Sequence, residues 1–495
     1  MQKETYTRLV ILGGGILFYL LFWSEQQGIN LLIFDIFILG SLACLYKDSF
    51  QNKHTKILVV GTILTVLMVV IHNSIISKFV HLFSFITLVG FIHQKQIVFV
   101  ALGLLRGFLE MIEGPFKAIY HEIKAPEKVK AKKRGVLQQV KLLPIPIVIF
   151  VAFYWVYYSA NRKFAELSDQ FWSNFDWVWT FDIQLDKILF FLVGLVITSG
   201  VFYKSIRKTK KTPAPEDLKR DTIKISAYNS GFKTMDLFKE HQISLLVFYS
   251  LCGLLLLVNL IDIRYVWFGF DPEQALNLKQ YVHSGTYLLI LAILMAMIII
   301  VFVFRGNLNY FSKNKRLKQL AYLWIGLNTV LTVSVGVRNL RYINFHGLAY
   351  KRIGVILFLG LTFYGLYTMY VKVRDKKSLA YLMHKNSWAV YFCLIFTCLI
   401  NWDTFITKYN LNKSIKAQIN VPWLFYTCSD KNLYLLIDKQ DVFKEKDSYP
   451  KITEKNFDGL LESKKRAFES RTNRYSWLSW NYSDYRNKQY LESSE

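Results

Sequence analysis

Charge is what this sequence has least of for its length. Only 19% of its 495 residues are Asp, Glu, Lys or Arg, against about a quarter in an ordinary soluble chain. Acids are the scarcer half, 35 against 61 basic residues. Cysteine is confined to five positions: Cys44, Cys252, Cys393 and Cys398 inside apolar runs, and Cys428 in the tail. None makes a CxxC or Cys/His spacing, so no metal site is expected. There is no Gly-x-x-x-x-Gly-Lys-Ser/Thr loop, no His-Glu-x-x-His and no Gly-x-Ser-x-Gly. That excludes P-loop, zincin and serine-hydrolase chemistry. Asp35 and Asp403 are the main aspartates within apolar segments; Asp35 shows no mate, which argues against an intramembrane aspartyl pair. Internal repeats and low-complexity segments are missing too, including the inverted repeats of many transporters. No cofactor is expected.

What is present is apolar length. Hydrophobic residues make up 53% of the chain, and mean hydropathy is +0.25. Runs long enough to cross a bilayer fall at 7–23, 29–46, 56–72, 76–92, 97–113, 142–160, 185–204, 242–262, 282–304, 318–337, 353–373 and 387–405. The expected fold is all-α: a polytopic transmembrane helical bundle of about 11–12 spans with a small C-terminal extramembrane cap. The run at Leu9–Trp23 has no small-residue cleavage site and reads as an uncleaved first helix. Gly13-Gly14-Gly15 within it lacks the context of a dinucleotide site and reads as close helix packing.

The net charge of +26 would suggest nucleic acid in a soluble protein. Here it lies between apolar runs. The loops at 121–141, 204–240, 305–318 and 372–386 are basic, which places all four on the cytoplasmic side and argues against a nucleic-acid partner. Two loops between them are more acidic and aromatic, one with Glu166, Asp169, Asp176 and Trp177, the other with Asp262, Asp271, Glu273 and Trp267. By parity residues 406–495 are extracytoplasmic. The segment 97–113 holds Arg106, Glu110 and Glu113 before Gly114-Pro115. It is expected to lie in the interface rather than cross, which gives eleven spans and a cytoplasmic N-terminus. Three regions follow: N-terminal helices at 1–120, a main bundle at 121–405 and the cap at 406–495. In the cap, Glu454–Arg474 reads as an amphipathic helix with Phe457, Leu460, Leu461 and Phe468 on one side.

Polar residues inside a membrane are costly and need partners. Three clusters stand out. His283, Thr286 and Tyr287 share a face at i, i+3, i+4; they are either an interfacial cap or part of a site. Trp324, Asn328, Thr332, Asn339 and Tyr342 fall within about 40° of one direction on a helix. This stripe, interrupted by Val335, either packs helices or lines a cavity, and in both cases faces the bundle interior. The connection holding Arg338, Arg341, Lys351 and Arg352 is extracytoplasmic by parity yet carries four cations and no acid. Either the charge is tolerated and paired internally, with Asp403 as an available partner, or the cations bind an anion such as a lipid headgroup or phosphate.

The order of motifs from Tyr281 to Leu411 resembles a family of bacterial multi-pass membrane proteins known only as a domain of unknown function, the 4173 class. The matching residues are His283-Ser284-Gly285-Thr286-Tyr287, Leu320-Ala321-Tyr322-Leu323-Trp324-Ile325 with Asn328, and Arg338-Asn339. Tyr342-Ile343, Gly347-Leu348-Ala349-Tyr350-Lys351-Arg352-Ile353-Gly354, Asn401-Trp402-Asp403 and Tyr409-Asn410-Leu411 complete the set. Ala349 stands where Thr is expected. The resemblance covers about a quarter of the chain strongly and implies no activity.

The expected function is a structural or assembly subunit of the bacterial cytoplasmic (inner) membrane, in contact with membrane lipids, engaging an envelope protein partner through the cap. The alternatives are a transporter or flippase for an anionic or lipid-linked substrate, and a membrane-embedded transferase using His283 or Asp403 as base. No catalytic residue is assigned.

Overall fold

Two residues, Asn73 and Ser74, make the whole connection between α4 (Lys53–His72) and α5 (Ile75–His93). Asn73 takes a left-handed conformation (φ 47°), and its N–H bonds Val69 O, closing α4. The Ser74 side chain accepts from Ser77 N and opens α5. A left-handed C-cap followed by a serine N-cap reverses the chain within one turn, so the two helices pack antiparallel.

In this computed structural model the described residues are 2–123, 154, 158, 162–173, 185–204, 237–268, 278–304, 307–311, 313–412, 421–440 and 454–493. They are helical without a strand. Before α4 come α1 (Gln2–Phe22), α2 (Ile29–Leu45) and the short α3 (Lys47–Phe50). After α5 come α6 (Val100–Ile123), α7 (Arg162–Ser173), α8 (Leu185–Phe202) and α9 (Leu237–Asp262), which runs into a π-helical turn at Ile263–Phe268. Then follow α10 (Leu278–Val303), α11 (Lys315–His346), α12 (Tyr350–Asp375), α13 (Leu379–Cys398) and α14 (Trp402–Asn412). The tail holds α15 (Val421–Tyr426), α16 (Leu433–Asp438), α17 (Glu454–Thr472) and α18 (Tyr482–Glu492). Six of the described helices are long and apolar enough to cross a membrane; α13 and α14, bent by 67° at residues 399–401, make a seventh if counted as one broken span. Two further apolar helices, Ile29–Leu45 and Leu288–Val303, are shorter. Of the expected runs, 142–160 falls almost wholly outside the described residues. The protein is an integral, multi-pass helical membrane protein.

Two apolar clusters build the bundle. One joins α1, α2, α4, α5 and α8 to Trp388, Tyr391 and Ile395 of α13. The other joins α9, α10, α11 and α12. A third cluster unites the ends of α11 and α12 (Ile343, Leu348, Ile353) with Trp402 and Ile406 of α14 and with Leu424, Leu436, Phe457, Leu461 and Phe468 of the tail. The tail is thus a cap seated on one end of the bundle, and α17 buries the apolar side read from its sequence. The cap also returns to the α1–α2 loop: Ile29 N bonds Trp480 O at 3.0 Å and Gln26 N bonds Ser479 Oγ at 2.8 Å. Gly28 permits this, since a Cβ there would lie 2.6 Å from the Ser479 backbone.

The described parts of the basic 305–318 and 372–386 loops lie at the other end. There the buried Lys372 donates to Phe304 O (3.0 Å) and Lys377 O (2.8 Å), joining the 305–318 and 372–386 loops. Helix α6 stays at that end too. Its Gly103 and Gly107 meet Gly90 and Ile86 of α5, and its Gly114 meets Gly200 of α8. Glu110 is buried 3.5 Å from His93, the last residue of α5. It is not among the helices apolar enough to span, and the small residues let it lie across the ends of α5 and α8. Asp35 is paired with a histidine rather than with a second aspartate: His81 Nε2 of α5 lies 3.5 Å away, with both residues buried. Nothing in the spacing of α2 and α5 along the chain announces that pair.

Candidate functional site

The motif segments that are far apart in sequence converge where the cap meets the bundle. Gly347, at φ +75°, ends α11 and turns the chain into α12. Asn410 of α14 clamps the next residue, its Oδ1 accepting from Leu348 N (2.6 Å) and its Nδ2 donating to Leu348 O (3.0 Å). A Cβ on residue 347 would lie 2.5 Å from Asn410 Oδ1, so glycine is required both for the backbone angle and for the clamp. Tyr350 then donates its hydroxyl to Asp403 Oδ1. Ser429 of the cap donates to the same carboxylate, through N–H to Oδ1 at 2.9 Å and through its hydroxyl to Oδ2 at 2.7 Å. Asp403 therefore fastens α12, α14 and the cap together.

Three of the four cations of the α11–α12 connection take separate partners. Arg338 pairs with Asp262 at the end of α9, both side chains being buried. Arg341 donates to Trp267 O at 2.7 Å. Arg352 donates to His346 O at 2.9 Å and to Gly347 O and lies 4.3 Å from the centre of the Tyr342 ring. Lys351 is exposed. Asp403 is therefore not the acid for Arg338; the end of α9 supplies it, because α9 packs against α11. The stripe on α11 faces inward. Asn328 Nδ2 bonds Trp324 O at 2.8 Å, Thr332 Oγ1 bonds Asn328 O at 2.7 Å and Asn339 Nδ2 bonds Arg352 O at 3.0 Å. Those polar atoms are satisfied by backbone, as helix packing requires. His283 and Thr286 fall in the first turns of α10, and their side chains lie outside the described residues.

Beside the Asp403 joint opens a cleft of about 660 Å³ between bundle and cap. Its bundle wall is Asn73, Ser74, Lys78, Tyr350 and Asp403; its cap wall is Ser429, Asp430, Lys431, Lys464 and Arg471. Most of these charges are mutually paired. Lys431 lies 2.5 Å from Asp484. Arg471 lies 2.7 Å from Asp430 and from Asp484 and 3.1 Å from Gln26 Oε1. Burial would raise the Asp484 carboxyl, yet hydrogen bonds from Arg471 and the Lys431 charge hold it below the usual carboxylate range. Lys464 donates to Leu424 O, Phe425 O and Cys428 O at 3.1–3.3 Å, and burial pushes its ammonium down to about 8. Burial likewise pushes the Cys428 thiol up to about 12, which makes it inert at neutral pH. Lys78 differs: among the described residues its ammonium makes no hydrogen bond or ion pair. The sequence reading missed this cleft. Its one available signal was a lone lysine three residues inside an apolar helix start; the cap residues carry no pattern that marks them.

No group of three or more metal-binding side chains occurs among the described residues. No curated protein and no solved structure matches the chain. A family model does match, over residues 10–433. It takes in the bundle, the Asp403 joint and one part of the cleft, while Lys464, Arg471 and Asp484 lie beyond it. The family is an uncharacterised one, as the motif order implied, but it is not the 4173 class. The chain belongs to the family described as Domain of unknown function (DUF4153).

Proposed function

We propose that the protein is a non-enzymatic subunit of the bacterial cytoplasmic membrane that presents its cap, on the outer face, to an envelope protein partner. The observation that carries this reading is an aromatic face on an otherwise polar cap. Trp477 is 69% exposed and Tyr426 77%, with Trp480, Tyr482 and Tyr485 exposed beside the former. Aromatic side chains are the commonest anchors of protein interfaces. The cap is also held rigidly, through Asp403 and through Arg471, Ser479 and Trp480 to the α1–α2 loop, which suits a docking platform. The basic 305–318 and 372–386 loops at the opposite end support the outward orientation. The test is co-purification in mild detergent from cells bearing the wild-type chain or Trp477→Ala/Tyr482→Ala. A partner retained by the first and lost from the second supports the reading; a wild-type chain that runs alone defeats it.

The cleft favours a second reading, a transporter or flippase for an anionic or lipid-linked substrate. Its support is the unpaired Lys78 at the end of a span.

A further inference from the structure

The floor of the cleft is the α4–α5 turn, and two of its polar groups have no partner. Lys78 is half-buried and makes no hydrogen bond or ion pair among the described residues, although Lys431 and Arg471 repel it and Asp430 and Asp484 attract it from a distance. Asn73 is 5% exposed, and its Oδ1 accepts no hydrogen bond. A buried amide oxygen left so costs about 1–3 kcal/mol. The two vacant valences are opposite in kind: Lys78 offers hydrogen-bond donors and a positive charge, and Asn73 Oδ1 wants a donor. An anion alone would serve the first and repel the second. A neutral polyol would serve the second and leave the first.

The position narrows the ligand further. The turn stands at the end of two membrane helices, the depth of lipid headgroups. Beside it Ile75 is 85% exposed and Phe79 is exposed on the outer side of α5, where acyl chains run. The first turn of α5, a helix of 19 residues, opens on the cleft through Ile75 and Ile76, and its unpaired N–H groups add to the positive potential. Trp402, Phe425 and Phe468 give the cleft an apolar lining.

We propose that this cleft binds a phosphate ester carrying free hydroxyls, such as the phosphoglycerol headgroup of an anionic lipid, with the phosphate at Lys78 and a hydroxyl donated to Asn73 Oδ1. The site deepens the second reading above, and it does not depend on the aromatic face or on a protein partner. A headgroup seated there touches both α5 and the cap, so binding fastens one to the other.

The experiment uses the full chain in detergent, with phosphatidylglycerol, phosphatidylcholine or inorganic phosphate added, and reads thermal stability together with bound lipid by native mass spectrometry. Phosphatidylglycerol is expected to raise the melting temperature and to remain bound, and phosphatidylcholine is not. Lys78→Gln is expected to weaken phosphatidylglycerol binding about 10-fold, the loss of one charge-assisted contact. Asn73→Asp is expected to weaken it too, while Lys385→Gln, which removes an exposed cation at the opposite end of the bundle, leaves it unchanged. Protection by inorganic phosphate to the same extent assigns the site to a free phosphate; protection by phosphatidylglycerol alone assigns it to lipid. Equal binding of phosphatidylcholine, or a Lys78→Gln chain that is folded and binds phosphatidylglycerol as the wild type does, overturns the site. Either result leaves the transport reading open to a direct flux assay.

Discussion

Ser429 meets both oxygens of the Asp403 carboxylate, one with its backbone N–H at 2.9 Å and the other with its hydroxyl at 2.7 Å. That pairing joins the cap to the broken helix α13–α14, and Tyr350 adds α12 to the same carboxylate. Asp403→Ala removes the acceptor of all three hydrogen bonds at once. It is expected to cost about 3 kcal/mol of cap docking, since hydrogen bonds to a charged group are worth about 1.5–3 kcal/mol each and part is regained through water. Limited proteolysis should then cut the cap while the membrane helices stay protected. An unchanged digestion pattern would show that the cap is held elsewhere.

Arg338 and Asp262 form a buried pair, so each is a liability without the other. Arg338→Gln is expected to lower stability by about 3 kcal/mol, because it leaves a buried carboxylate alone. Adding Asp262→Asn should recover much of that loss. A double-mutant cycle on thermal unfolding measures the coupling, and additive losses would refute the pair.

Helix contacts here depend on glycine at sites of very close approach. A Cβ on Gly90 would lie 2.0 Å from Gly103 O, and one on Gly61 would lie 2.0 Å from the Tyr391 hydroxyl. Tyr391 is buried and bonds Ser84 Oγ at 2.8 Å, so it has nowhere to move. Gly90→Ala and Gly61→Ala are each expected to destabilise by at least about 1–3 kcal/mol. Gly40 has nothing within 4 Å; Gly40→Ala is expected to stabilise by about 0.5–1 kcal/mol through helix propensity. Melting temperatures in one detergent rank the three.

Two cap residues give pH dependences of the same sign in separate windows. Asp484 is held below its ordinary value in the folded cap, chiefly by Arg471 and Lys431 working against burial. Its contribution is therefore complete above about pH 4, the unfolded value, and is lost as pH falls toward the folded one. Lys464 is lowered by burial to about 8. Between that value and about 10.4 the unfolded chain binds more protons, so stability rises with pH across this window. Asp484→Asn should flatten the acid limb and Lys464→Met the alkaline limb. Limited proteolysis of the cap as a function of pH and denaturant reports each.

Much of the architecture was legible because membrane helices announce themselves by length. The apolar runs, the basic loops and the amphipathic face of α17 are local properties, and each appears in the structure where the chain is described. The composition of α6 was legible as well: with Arg106, Glu110 and Glu113 it is not among the helices apolar enough to span. The partner of Arg338 was not. Asp403 and Asp262 are both acids at the same end of the bundle, and only the packing of α9 against α11 chooses between them. Asp35 looked solitary because His81 is 46 positions away and comes to it through tertiary packing alone.

The opening scarcity of charge has the same division. By itself the sequence determined that the chain is an all-helical membrane protein, because burial in lipid is a property of each segment separately. It also held the motif residues Gly347, Tyr350, Asp403 and Asn410, without showing that they touch. Tertiary structure decided that they form one joint, that the cap is seated on it, and that Lys78 and Asn73 face a cleft with vacant valences. Those facts depend on which distant groups satisfy one another, and hydrogen bonds and ion pairs across the fold leave no periodicity in the chain.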